Sequence, residues 1–150
     1  MVLNKELSEL KMPDNKIVSI VDDEVKTAQL FHNALCTIKG INVFEFTDPV
    51  KALQHLKLNK KDYAVMISDL RMPVINGVQL LKTVKDLNPL ARTILMTAYD
   101  IDDNLIQEYT KKEIINSFLK KPIELNQLLS EVNKQIYCID YINKNKRKYC

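Results

Sequence analysis

Four apolar runs in this chain end in side chains that can hold or move charge. Val21 is followed by Asp22, Asp23 and Glu24, Ile67-Ser68 by Asp69, Met96 by the hydroxyl of Thr97, and Phe118-Leu119 by Lys120, Lys121 and Pro122. Short runs rich in β-branched residues read as strands buried on both faces, as in a parallel sheet. In an open α/β sheet, ligands bind beyond the carboxyl ends of the strands, so these groups project from one edge. Each alone has a bland reading, because Asp is a common turn residue and acids are favoured at helix starts. Taken together they need a cation. Three carboxylates ~4 Å apart repel by about 4 kcal/mol per pair at an effective dielectric of 20.

A divalent ion plus the Lys121 ammonium would bring three negative charges to zero. Magnesium suits such a site, since it takes oxygen ligands, uses few carboxylates and leaves room for phosphate oxygens. A carboxylate beside that ion can act as a nucleophile toward phosphorus and become an aspartyl phosphate. The remaining need is neutralised charge on the equatorial oxygens, which the metal, Lys121 and Thr97 would provide. The chain holds two glycines and no Gly-rich loop for a nucleotide. Phosphate is therefore expected from a small donor or from another protein.

The elements that would position these groups follow from the spacing of apolar residues. Strands are expected at Ile17–Val21, Val43–Phe46, Tyr63–Asp69, Thr93–Ala98 and Ile115–Leu119, the second nearer an edge because Glu45 interrupts it. Val25, Ala28, Phe31, Leu35 and Ile38 recur at helical spacing before Gly40, with His32 on the surface beside them and Cys36 in the core. Thr47-Asp48-Pro49 opens a second helix, with Val50, Leu53 and Leu56 inward and His55 on its polar side. Asn76-Gly77 leads into a third, with Val78, Leu81 and Val84 or Leu87 inward, closed by Asn88-Pro89. Asp102 or Asp103 caps a short polar fourth helix carrying Leu105, Ile106 and Tyr109. The fifth starts near Leu125 and continues through Leu128, Leu129, Val132, Ile136 and Ile139. That last stripe outruns what a sheet needs, and reads as a dimer seam or a connector. Five strands alternating with five helices specify an α/β, doubly wound parallel sheet with right-handed crossovers.

At 150 residues, 46% hydrophobic and 27% charged, the chain is expected to form one globular domain. Its apolar runs are strand-sized, and Met1 to Leu10 carries Lys5, Glu6 and Glu9 where a signal peptide would be apolar, so a cytoplasmic location without membrane contact is expected. Cys36, Cys138 and Cys150 are odd in number and lack CxxC spacing, which fits reduced thiols and no zinc. The net charge of +3 sits in Ile139–Cys150, where Lys144, Lys146, Arg147 and Lys148 face only Asp140. With Tyr141 and Tyr149 its sparse aromatics and no recognition helix, this tail reads as a solvated end, and no nucleic acid is expected to bind directly. The boundaries that result are an N-terminal extension over 1–13, the domain over 14–133, and an extended last helix with its basic tail over 134–150.

Val21-Asp22-Asp23-Glu24, Ser68-Asp69-Leu70-Arg71-Met72-Pro73 with Asn76-Gly77, Met96-Thr97-Ala98 and Phe118-Leu119-Lys120-Lys121-Pro122 resemble, in order, the motifs of receiver domains of two-component response regulators. The resemblance spans roughly Asn15 to Asn133 and implies a flavodoxin-like five-stranded sheet of order 2-1-3-4-5 with helices on both faces. It implies that Asp69 is a phosphoacceptor served by a histidine kinase or phosphotransfer protein, with no classical enzyme activity. Asp23 would ligate Mg2+ directly, Asp22 largely through water, and the backbone carbonyl of Arg71 would be the third protein ligand. Lys121 would pair with the phosphoryl group, ahead of a cis Lys121-Pro122 bond. Thr97 and Phe118 would form the switch pair that reshapes the fourth helix, fifth strand and fifth helix. That surface would control a downstream effector or output domain, and it or the extended last helix would serve any homodimer. Phe118 lacks the hydroxyl of the tyrosine often found there. The alternative is an aspartate-nucleophile phosphatase of the haloacid dehalogenase type, whose second acid falls where this chain has Arg71.

Overall fold

The computed structural model describes residues 15–98 and 103–145. The elements run β1 (Lys16–Val21), α1 (Val25–Leu35), β2 (Ile41–Phe46), α2 (Pro49–Asn59), a 3-10 turn (Lys60–Asp62), β3 (Tyr63–Asp69), α3 (Gly77–Leu87), β4 (Arg92–Thr97), α4 (Asp103–Lys111), β5 (Ser117–Lys120) and α5 (Leu125–Asn145). The polar lead-in before Asn15, the Asp102 cap and the tail beyond Asn145 lie outside the described residues.

All neighbouring strands pair in parallel, in the order β2-β1-β3-β4-β5. This is the order the resemblance implied, in the doubly wound sheet that the alternation of elements specified, with Glu45 on an edge strand as expected. The sheet separates two apolar layers. Val18, Ile20, Ile67, Ile94 and Met96 face Phe31 and Leu35 of α1 and Leu128 and Val132 of α5. Ile17, Val21, Met66 and Leu95 face Ala52 and Leu56 of α2 and Leu80, Leu81 and Val84 of α3. The helix starts are locally specified. Asp48 Oδ1 accepts from Val50 N at 2.9 Å with Pro49 in the first turn, and Asn76 and Gln79 form a reciprocal capping box.

Four expectations are corrected. Cys36 is exposed, because α1 ends at Leu35 and the next position turns away from the Ala28–Phe31–Leu35 stripe. Val25, at the start of that stripe, is 54% exposed. The fifth strand starts only at Ser117, although Ile115 is still buried. His55 is not on a polar face. It packs on Phe44 and Phe46 of β2, and its Nδ1 shares a hydrogen bond with the Tyr63 hydroxyl, which also meets Ser19 Oγ at 2.9 Å. The position before Leu56 lies on the shoulder of the buried stripe, where the aromatic side chains of β2 reach it.

Burial lowers the His55 pKa from its ordinary value and raises that of Tyr63 to about 12. A histidine that resists protonation in the fold binds fewer protons than the unfolded chain below pH ~6.5, so stability is present above that pH and falls as the solution is acidified. The urea midpoint is expected to drop between neutral pH and the mid-fives, and His55→Gln should flatten that slope.

The apolar stripe of the extended α5 is used inside the domain. Ile139 is buried, Ile136 packs on the same layer, and Lys16 Nζ reaches Asp140 Oδ1 at 2.7 Å, joining the start of β1 to the far end of α5. What the sequence suggested as a seam or connector is part of this domain's own core.

Candidate phosphoacceptor site

β1, β3 and β4 deliver Asp22, Asp69 and Thr97 to the same edge because their register is parallel. Val21 pairs with Ser68, and Asp69 with Met96. Carboxylate oxygens of Asp22, Asp23 and Asp69 lie within 4.8 Å of one another, the only group of three or more His, Cys, Asp or Glu side chains so placed among the described residues. Asp22 is buried, Asp69 largely so, and Asp23 faces solvent. Glu24 N donates to Asp22 Oδ1 at 2.9 Å and Leu70 N to Asp69 Oδ1 at 2.9 Å, which holds one oxygen of each carboxylate and turns the other toward Lys121. This is a hard, all-oxygen donor set and suits magnesium.

Lys121 enters from β5. Its backbone N–H donates to the Thr97 carbonyl at 2.8 Å, and its Nζ lies 2.8 Å from Asp22 Oδ2 and 3.4 Å from Asp69 Oδ2. Burial would lower the Lys121 pKa, but the hydrogen bond and charge of Asp22, with Asp69 behind them, outweigh it and leave the ammonium above its ordinary value. At Asp69 burial prevails. The carboxyl sits above the usual carboxylate range, pushed further by Asp22 and only partly opposed by Lys121. The Lys121-Pro122 bond is cis, as the motif implied.

Thr97 is buried at the end of β4. Its neighbour across the ladder is Lys120, and Leu95 faces Phe118. Thr97 and Phe118 therefore share one side of the sheet, with the Phe118 ring packed on the apolar layer under α2 and α3. Arg71 is exposed, two residues beyond Asp69, and has an interaction partner within the structure.

Two features of the β3–α3 loop were missed by the sequence reading. Gly77 N donates to the Leu70 carbonyl at 2.8 Å, and a Cβ at Gly77 would stand 2.2 Å from the Asp69 carbonyl oxygen. The Asn76-Gly77 pair signalled a helix start but not this approach. Val74 has φ 72°, and Ile75 N donates to the Pro73 carbonyl at 2.8 Å, which together make a γ-turn of the strained hand on a β-branched, 87% exposed residue. Such backbone costs about 1–3 kcal/mol, whereas the entropy glycine adds to the unfolded chain costs about 0.4–1 kcal/mol. Val74→Gly is therefore expected to stabilise the domain by about 1 kcal/mol, read as a raised denaturation midpoint.

The model of the response regulator receiver domain family matches residues 18–133. The chain belongs to that family, and is a receiver domain of a two-component system. It is similar to the DNA-binding transcriptional regulator NtrC of Escherichia coli K12, 29% identical over 120 residues, which cover 80% of this chain and 24% of that protein. Against sporulation initiation phosphotransferase F of Bacillus subtilis the identity is 27% over 122 residues, 81% of this chain and 94% of that one. The chain thus spans about a quarter of the length of NtrC and most of the length of the Bacillus protein. Among solved structures, a receiver domain from Clostridium thermocellum superposes with TM-score 0.73 at 26% identity, covering 85% of this chain and 98% of that one. Among the described residues no helix is long and apolar enough to cross a membrane.

Proposed function

We propose that Asp69 accepts a phosphoryl group from the phosphohistidine of a kinase or phosphotransfer protein and that the phosphorylated domain controls a partner or output domain. The observation that carries this reading is the Lys121 ammonium set between Asp22 and Asp69 within an acidic cluster 4.8 Å across. Asp22, Asp23, Asp69 and the Arg71 backbone carbonyl would hold Mg2+, which when bound supplies positive charge to the phosphoryl oxygens. The Asp69 oxygen not held by Leu70 N attacks phosphorus, the P–N bond of the donor breaks, and its electron pair returns to the imidazole. Lys121 leaves Asp22 for the phosphoryl oxygens, and the Thr97 hydroxyl donates to another of them. Phe118 follows Thr97, which changes the face formed by α4, β5 and α5.

Intact mass after incubation with acetyl phosphate and Mg2+ tests the acceptor. Wild type should gain one phosphoryl group and Asp69→Asn none. Because the folded Asp69 carboxyl prefers its proton, its ionisation weakens the fold as pH rises through that elevated value. Asp69→Asn should therefore also unfold at a higher denaturant concentration than wild type at neutral pH. Phosphate addition to Asp69→Asn would overturn the assignment. Rapid turnover of a phosphate monoester by wild type would favour the phosphatase alternative.

A further inference from the structure

The last turns of α5 carry a stripe that the phosphoacceptor reading does not use. Lys134, Tyr137, Tyr141 and Lys144 follow at steps of three and four residues and so share one face of the helix. That face points away from the layer holding Leu128, Val132 and Ile139. Lys134 and Lys144 are exposed, and Tyr137 is 66% exposed. The Tyr137 and Tyr141 rings stand 6.3 Å apart between centroids, tilted by 31°. Two acids near the stripe are engaged elsewhere: Asp140 pairs with Lys16 at 2.7 Å, and Glu131 accepts from Gln135 at 2.9 Å. In sequence, Lys146, Arg147 and Lys148 follow directly. From this arrangement we infer that the end of α5 is a docking surface for single-stranded nucleic acid, with the tyrosine pair as a stacking platform and the lysines on the phosphates.

Charge decides against a second copy of the chain. An isologous contact through this stripe would set Lys134 of one molecule against Lys144 of the next, a like-charge pairing. A polyanion with flat faces satisfies the lysines and the rings together, and base stacking on an aromatic side chain contributes regardless of base identity. This departs from the expectation drawn from the sequence. There Tyr141 and Tyr149 were read as the sparse aromatics of a basic tail, whereas Tyr137 lies before the tail and only the helix brings its ring to that of Tyr141. The inference is independent of Asp69.

The test is fluorescence anisotropy of the full chain with a labelled mixed-sequence single strand of about 20 nucleotides, longer than the ~4–16 that one stacking module occupies. RNA and DNA arms, the corresponding duplex, and polyglutamate at matched charge complete the set. The single strand should bind at about 50 mM salt and be lost toward about 200 mM. Tyr137→Ser with Tyr141→Ser should weaken it at least tenfold, consistent with stacking contributions, while circular dichroism and acetyl phosphate labelling of Asp69 stay as in wild type. Lys134→Gln with Lys144→Gln should lower the salt slope. No binding at low salt, equal binding of polyglutamate or duplex, or affinity indifferent to the tyrosine substitutions would each overturn the inference. So would a wild-type dimer that the tyrosine variant dissociates.

Discussion

Lys121→Met is expected to slow labelling of Asp69 by acetyl phosphate by about a hundredfold or more, the usual result of removing one donor that meets transition-state charge. It is also expected to destabilise the fold, in a way that depends on pH. Lys121 is 21% exposed and bridges Asp22, 1% exposed, and Asp69, 15% exposed, at 2.8 and 3.4 Å. Removing one partner from a buried ion pair typically costs about 3–5 kcal/mol, because the other charge stays behind without compensation. Here two carboxylates stay behind, with Asp23 beside them. The wild-type lysine has its pKa raised in the fold. Its contribution is complete below the unfolded value of ~10.4 and is lost as pH rises through the folded one. At neutral pH the variant therefore lacks the whole of it. As pH falls, Asp69, whose carboxyl is raised by burial, takes up its proton, its repulsion with the neighbouring acids disappears, and variant and wild type should converge. Urea titrations at pH 7 and pH 5 measure this, and a variant deficit that grows on acidification would refute the electrostatic account. Adding Mg2+ at neutral pH should restore more stability to Lys121→Met than to wild type, since the cluster left without its ammonium has the greater need of a cation.

The strand-end carboxylates, Thr97 and Lys121 could be read from the sequence because each terminates an apolar run, and a parallel sheet brings all such ends to one edge. The helices of the core followed from three- and four-residue spacing. Part of what escaped was set by neighbours distant in sequence. His55 looked polar until Phe44 and Phe46 came across from β2. Cys36 looked buried because it adjoins the Leu35–Ile38 stripe, but α1 ends at Leu35 and its cap position faces solvent. The far end of α5 offered an apolar stripe but no indication of what covers it: Ile136 and Ile139 join the layer of Val18 and Ile20, more than a hundred residues away, and Lys16 pairs with Asp140 beside them. Val74 was overlooked for another reason. Nothing in a β-branched residue signals positive φ, which ordinarily calls for glycine, asparagine or aspartate.

Gly77→Ala is expected to destabilise the domain by about 1–3 kcal/mol, the range for forcing atoms into a packed interior, and to slow phosphorylation as well. On helix propensity alone the substitution should help, since alanine is favoured over glycine by about 1 kcal/mol inside a helix. Sterics oppose and exceed that gain. The new methyl would stand 2.2 Å from the Asp69 carbonyl oxygen and 2.8 Å from Leu95 Cδ1, closer than such atoms can approach. The Leu95 side chain can yield; the Asp69 carbonyl belongs to the end of β3 and cannot move alone. Relief requires α3 to withdraw, which breaks the 2.8 Å bond from Gly77 N to the Leu70 carbonyl. Leu70 also donates to Asp69 Oδ1 at 2.9 Å and so orients the acceptor carboxylate. The packing defect therefore passes directly to the reacting group. Gly40→Ala separates the two effects. Gly40 has φ +83° with nothing within 4 Å of the added methyl, so its cost is backbone strain of about 1 kcal/mol, remote from the site. Both variants should lose stability, but only Gly77→Ala should label more slowly with acetyl phosphate under conditions where each remains folded. Equal labelling rates would show that the close approach of α3 to Asp69 serves packing alone.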